Sequence, residues 1–225
     1  MLSSRVSSSD YANEFRKVDD KLFPKGEDDK IVDVTLGKNF IIVVTESGEC
    51  YGAGYYFYRY IGGCRDNSQR DEDYPYKIKM PDGWKARKVY ATCDNSNTAW
   101  VTCEDSEGKM QTFAMGNDYN KCGAGTSSDC SSPTKLDVPD GVYMTFIESQ
   151  KHLAIGVDNQ GCFWSWGGNS LSKKVEGEDD CVEFREKASK PVRYQWFKKQ
   201  KLTVLEARCG GIHAIVKCKT ETGEI

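Results

Sequence analysis

Apolar residues along this chain gather in short runs rich in β-branched side chains, separated by polar bends and glycine turns. Four stretches share one order of parts: VDVTLGKNFIIVVTESGECYGAG from Val32, VYATCDNSNTAWVTCEDSEGKMQTFAMGN from Val89, VYMTFIESQKHLAIGVDNQGCFWSWGGN from Val142 and VLEARCGGIHAIVKCKTETGEI from Val204. In each, an apolar run leads to a polar bend around Asn39, Asn97, His152 or His213. A second apolar run follows, and then a turn carrying Gly48, Gly108, Gly161 or Gly223. Runs of this kind bounded by turn residues predict strand, turn, strand, turn, strand in every copy.

The prolines carry the same period. Pro75, Pro133 and Pro191 lie 58 residues apart, as do Pro81 and Pro139, so PYKIKMPDGW and PTKLDVPDGV are matched segments. The PDG triplets read as turns, because proline fixes φ and glycine tolerates positive φ. Pro75, Pro133 and Pro191 are expected in equivalent turns.

A period of this length exceeds a hairpin and fits a four-stranded propeller blade with its loops. One blade cannot bury both of its faces alone, so neighbours stack. Ile41, Val43, Leu153, Ile155 and Ile215 are accordingly expected to meet across blade interfaces. The expected fold class is all-β, a partial β-propeller of radially arranged four-stranded sheets. Its approximate blades are 30–84, 85–140, 141–202 and an incomplete 203–225, about three and a half in all.

Particular letters of the third copy, His152, Gly161, Trp166, Gly167 and Asn169, resemble the repeat of the regulator of chromosome condensation family, and Gly116, Asn117 and Gly123 match its glycine-rich tail in the second. The resemblance spans about residues 30 to 225. Asn39 and Asn97 stand in for the bend histidine, Ala53 and Met115 for the tryptophan, and the glycine pair persists as Gly210 and Gly211. It implies the propeller fold. It also brings an alternative activity, guanine-nucleotide exchange on a small GTPase, as in the family's founding member. Fold transfers more safely than function.

Two segments interrupt the pattern. Residues 1–29 begin Ser-rich and then place Tyr11, Phe15, Val18 and Leu22 at helical spacing before Pro24. They form a separate N-terminal segment, helical or irregular. From Leu171 to Lys190 a charged tract with hardly any apolar periodicity predicts an exposed loop.

Composition narrows the function. A net charge of −3 with no basic concentration makes nucleic acid an unsuitable partner. The longest apolar run, Phe40–Val44, is far too short to span a bilayer, and the polar N-terminus has no secretion signal. The expected location is the cytoplasm, with cytoskeletal or organelle association left open. Ten cysteines include no CxxC pair, so they read as reduced, packed thiols rather than disulfides or metal ligands. No GxSxG, P-loop or HExxH motif occurs, and both histidines, His152 and His213, sit at the same bend. There the ring is suited to bracing the turn. The reading is non-enzymatic, with no cofactor and no metal.

The candidate partner-binding residues are the aromatic run Tyr55, Tyr56, Phe57, Tyr58, Arg59 and Tyr60, which replaces the family's polar tail. Tyrosine and arginine combine large contact area with polar tips, as interface anchors do. Alternate members packing into the first blade is an equally open reading. The function expected is a protein-interaction scaffold or structural subunit of a larger assembly. Because the fourth copy ends at TETGEI, another chain, identical or not, is expected to cover the open propeller end.

Overall fold

The computed structural model describes residues 23, 25–38, 40–54, 75–92, 97–116, 122–126, 128–150, 153–168, 188–210 and 214–223. Antiparallel sheets follow one another along the chain. The first is β1 (Ile31–Leu36), β2 (Phe40–Thr45), β3 (Cys50–Gly54) and β4 (Tyr76–Lys77), paired in chain order. The second is β5 (Lys85–Ala91), β6 (Thr98–Glu104), β7 (Met110–Gly116) and β8 (Cys130–Lys135). The third is β9 (Met144–Gln150), β10 (Leu153–Asp158), β11 (Phe163–Gly167) and β12 (Ala188–Arg193). A short helix, α1 (Gln195–Lys199), then leads to the two-stranded β13 (Thr203–Cys209) and β14 (Ala214–Lys219). This is the all-β propeller expected, with first strands of successive blades adjoining one another.

Register makes the blades superimposable residue by residue. Each first strand carries a bulge within its first three residues, at Val32, Arg87, Thr145 and Leu205. Bulges increase local twist and bend the strand. The turn that follows the second strand also recurs. Gly48, Gly108, Gly161 and Gly223 have φ of 90°, 79°, 72° and 87°, and each donates its N–H to the carbonyl three residues earlier, on Thr45, Asp105, Asp158 or Thr220. Side-chain oxygens of three of those residues accept further turn amides: Thr45 from Glu49, Asp105 from Glu107 and Lys109, Asp158 from Gln160 and Cys162.

The core lies between blades. One cluster joins Phe40, Ile42 and Val44 of blade one to Val89, Val101 and Phe113 of blade two. A second joins Trp100 and Ala114 to Met144, Trp164 and Trp166, where Trp100 and Trp166 meet edge to face at 5.9 Å. A third joins Leu153, Ile155, Val157 and Phe163 to Val204, Ala207 and Cys209. Alternation thus gives each strand one set of side chains for the preceding blade and one for the next.

Three expectations need correction. Pro75, Pro133 and Pro191 are not in turns: Pro75 enters β4, while Pro133 and Pro191 lie within β8 and β12. All three lie in or directly before the outermost strand, whose free edge needs no N–H donor there. Ile41 and Val43 face away from blade two, on the other side of blade one with Phe23 and Tyr51, and Ile215 is exposed. The charged tract ends early, because Ala188, Ser189 and Lys190 are already in β12. The expected N-terminal helix falls on residues that, but for Phe23 and 25–29, lie outside those described.

Turn glycines also hold the next blade. The carbonyls of Gly48 and Gly161 accept the N–H groups of Ala86 and Val204 at 2.8 and 3.0 Å. A Cβ on Gly48 would lie 2.5 Å from the Lys85 Cβ, whereas one on Gly83, at a similar φ of 84°, would meet nothing. Gly83→Ala should therefore lose only the left-handed backbone penalty of ~1–2 kcal/mol. Gly48→Ala should lose about twice as much, because it also pushes blade two away. Urea unfolding midpoints of the two variants measure the difference; equal losses would mean that this turn does not hold the junction.

Candidate interaction surface

The outermost strands carry a repeated cation. Lys77, Lys135 and Arg193 each follow their proline by two residues and pair in register with Tyr51, Phe113 and Trp164. Each cation finds a different partner. Lys77 bonds Glu49, holding that carboxyl below its usual range together with the Tyr51 hydroxyl; Lys135 bonds Asp140 at 2.9 Å; Arg193 donates to the Cys162 sulfur at 2.6 Å and lies 5.9 Å from the Trp164 ring centre.

Around Arg193 the junction of blades three and four opens as a cleft lined by Cys162, Tyr194, Phe197, Lys198 and Lys201. On the opposite face of β11, in the core shared with blade two, the Trp164 indole N–H donates to Asp158 Oδ2 at 2.8 Å. Phe163 holds Tyr194 and Phe197 edge to face at 5.0 and 5.6 Å. The buried Asp158 was not singled out in the sequence. The signal was present as an Asp or Thr three residues before every turn glycine, and its meaning needed the hairpin.

The first and last sheets also expose apolar side chains. Val32, Val34 and Leu36 of β1 are 55, 54 and 63% exposed, and Leu205 and Ile215 of the last sheet are 43 and 71% exposed. Among the described residues, Phe23 packs on the part of the first face formed by Val43 and Tyr51, with Ile31 and Ile41 beside them. Such surfaces are characteristic of protein contact sites.

The aromatic run from Tyr55 to Tyr60 lies outside the described residues, as do His152 and His213. Trp166 and Gly167 end β11, with Trp166 buried in the second inter-blade core. Gly54, Gly116 and Gly167 close the third strand of successive blades at φ of 129°, 124° and 118°. At Gly116 a Cβ would lie 2.0 Å from the Asn97 carbonyl oxygen, so only glycine fits. Among the described residues no group of His, Cys, Asp and Glu could hold a metal ion, and no helix is long and apolar enough to cross a membrane.

No protein-family model matches the sequence. The E3 ubiquitin-protein ligase HERC2 of human is 25% identical over 196 residues, 87% of this chain but 4% of HERC2, and the mouse protein matches equally. Among solved structures, human WBSCR16 superposes with a TM-score of 0.61 at 19% identity, covering 86% of this chain and 45% of that one. Prp20p of Saccharomyces cerevisiae, described with its binding properties to Gsp1p and histones, superposes with a TM-score of 0.57 at 17% identity, covering 84% and 43%. The chain thus spans less than half of either structure and a small part of HERC2.

All seven described cysteines are free thiols. Burial pushes the Cys50 thiol far above its ordinary range and that of Cys103 up to about 12, while Cys162 and Cys218 are only half-buried. The thiolate is the reactive form. In the native protein at neutral pH, iodoacetamide should modify Cys162 and Cys218 first and Cys50 and Cys103 at least ~100-fold more slowly, through unfolding. Peptide mapping by mass spectrometry reads the order, and early modification of Cys50 would contradict the packing between blades one and two.

Proposed function

The chain is a β-propeller of the regulator of chromosome condensation type, and from that premise we propose that it is a non-enzymatic scaffold that binds other proteins. The observation that carries this reading is the exposure of apolar side chains on the first and last sheets, at Val34 and Leu36 and at Ile215. A monomeric surface leaves few contiguous apolar patches without a partner. The cleft around Arg193, with its tyrosine, phenylalanine and lysines, adds the residue types that anchor interfaces. Binding of Gsp1p and histones is described for Prp20p, and a protein partner is its counterpart here. Free thiols at every described cysteine suit a reducing compartment, and we place the protein in the cytoplasm.

Guanine-nucleotide exchange is the competing activity. Release of fluorescent nucleotide from a panel of small GTPases should not accelerate when the chain is added at catalytic concentration; acceleration would replace the scaffold reading with exchange. In parallel, cross-linking of the purified chain in native extract should join a stoichiometric protein partner to Lys198, Lys199, Lys217 or Lys219. Absence of cross-links to any protein at these lysines would overturn the scaffold reading.

A further inference from the structure

The outermost strand of blade two is irregular at one point. Among the described residues β8 pairs only with β7, with Lys135 opposite Phe113, Thr134 opposite Ala114 and Cys130 opposite Gly116. Ser131, Ser132 and Pro133 therefore stand opposite Met115 alone, in a bulge that takes them out of the ladder. Blade three repeats the device, with Ser189, Lys190 and Pro191 opposite Trp166. What differs is the residue before the proline. Of the six prolines in the chain, Pro133 alone follows a serine or threonine.

Ser132 is exposed, as are Thr134 and Lys135 after it. Thr134 Oγ1 donates to the Ser132 carbonyl at 3.0 Å, but the Ser132 hydroxyl makes no hydrogen bond among the described residues. Other serine hydroxyls are occupied: Ser47 donates to Asp29, Ser149 to the Leu153 carbonyl, and Ser165 pairs with the Tyr194 hydroxyl. Pro133 holds Ser132 in extended backbone, the region proline imposes on the residue before it, and has no N–H of its own to satisfy. Lys135, three residues beyond the serine, ends in an exposed ion pair with Asp140 at 2.9 Å. Pairs of this kind contribute little, so another anion can take over the ammonium. The segment Ser132-Pro133-Thr134-Lys135 thus presents, in extended form on a free edge, a hydroxyl, a proline directly after it and a cation three residues on. That is the arrangement read by proline-directed kinases, which seat the proline in an apolar pocket and the cation on an anionic group.

We propose that Ser132 is a phosphorylation site for a proline-directed serine/threonine kinase. In the step, the Ser132 Oγ attacks the γ-phosphorus of Mg-ATP held by the kinase; the new Oγ–P bond forms as the bond to the ADP oxygen breaks, the hydroxyl proton passes to the catalytic aspartate of the kinase, and ADP leaves. The product carries about −1.5 to −2 charges and three strong acceptor oxygens on the outer rim of blade two. Ser132 belongs to none of the clusters packed between blades, so the modification changes what the rim can bind and leaves the inter-blade cores as they are. The site is independent of which partner the propeller binds.

The folded chain, incubated with Mg-ATP and a proline-directed kinase of the cyclin-dependent class, should take up phosphate that peptide mapping by mass spectrometry places on Ser132. Ser132→Ala, at an exposed position, should abolish that uptake while circular dichroism stays unchanged. Pro133→Ala keeps the hydroxyl but removes the ring the kinase seats, and should slow the initial rate by more than about tenfold. Should Pro133→Ala disturb the fold, Lys135→Gln, which removes the cation alone, is expected to slow the rate in its place. No uptake by the folded chain, uptake that survives Ser132→Ala undiminished, or a rate indifferent to both Pro133→Ala and Lys135→Gln would each overturn the proposal. So would uptake confined to the urea-unfolded chain, because the bulge would then not present the serine.

Discussion

Each sheet of this protein is apolar on both faces, and the rest of the structure follows from the need to keep both dry. Burying a Val- or Ile-sized side chain contributes about 1.5–3 kcal/mol, and every inner blade buries several on either side. A blade isolated from its neighbours would forfeit most of that. The stability of the propeller therefore resides in the junctions, much as in any repeat protein whose units contact only their neighbours.

Directional contacts then set the angle at which the blades meet. The carbonyls of Gly48 and Gly161 receive an amide near the start of the next blade, from Ala86 and Val204, and the Asp33 and Glu148 carboxylates receive amides farther along its first strand. These bonds satisfy backbone groups that the ladder leaves over on an inner edge strand. The middle junction differs. There Thr102 and Thr112 hydrogen-bond Met144 at its carbonyl and amide, and Trp100 replaces the isoleucine found at the other junctions. The larger ring packs edge to face on Trp166, and a Cβ on Gly156 would crowd Trp166 and Met144.

Chemistry available for partners has been displaced to places the core does not need. The outer strands keep prolines and cations at a free edge, where a missing donor costs nothing and charge discourages unwanted strand pairing. Arg193 illustrates how context then diverges among equivalent positions. Lys77 and Lys135 end in ordinary surface ion pairs, whereas Arg193 lies over Trp164 beside a thiol in an open cleft.

Much of this was legible in the sequence because it is local or periodic. The strand runs, the turn glycines at Gly48, Gly108, Gly161 and Gly223, and the period of Pro75, Pro133 and Pro191 gave the all-β class and the blade type. Turn chemistry depends on a few neighbouring residues, and repetition multiplies a weak signal. The sequence could not say which alternate side chains face which neighbour, since a shift of one residue exchanges the two faces of a strand. Thus Ile41 and Ile42 are indistinguishable as letters, and only the bulged register of β1 on β2 sends Ile42 into the junction with blade two and Ile41 to the opposite side. Nor could it separate a proline in a turn from one on an edge strand, because both tolerate the missing donor. The exposure of Val34 and Ile215 was likewise decided by tertiary structure alone: each has the same local setting as its buried equivalents and differs only in having no blade against it among the described residues.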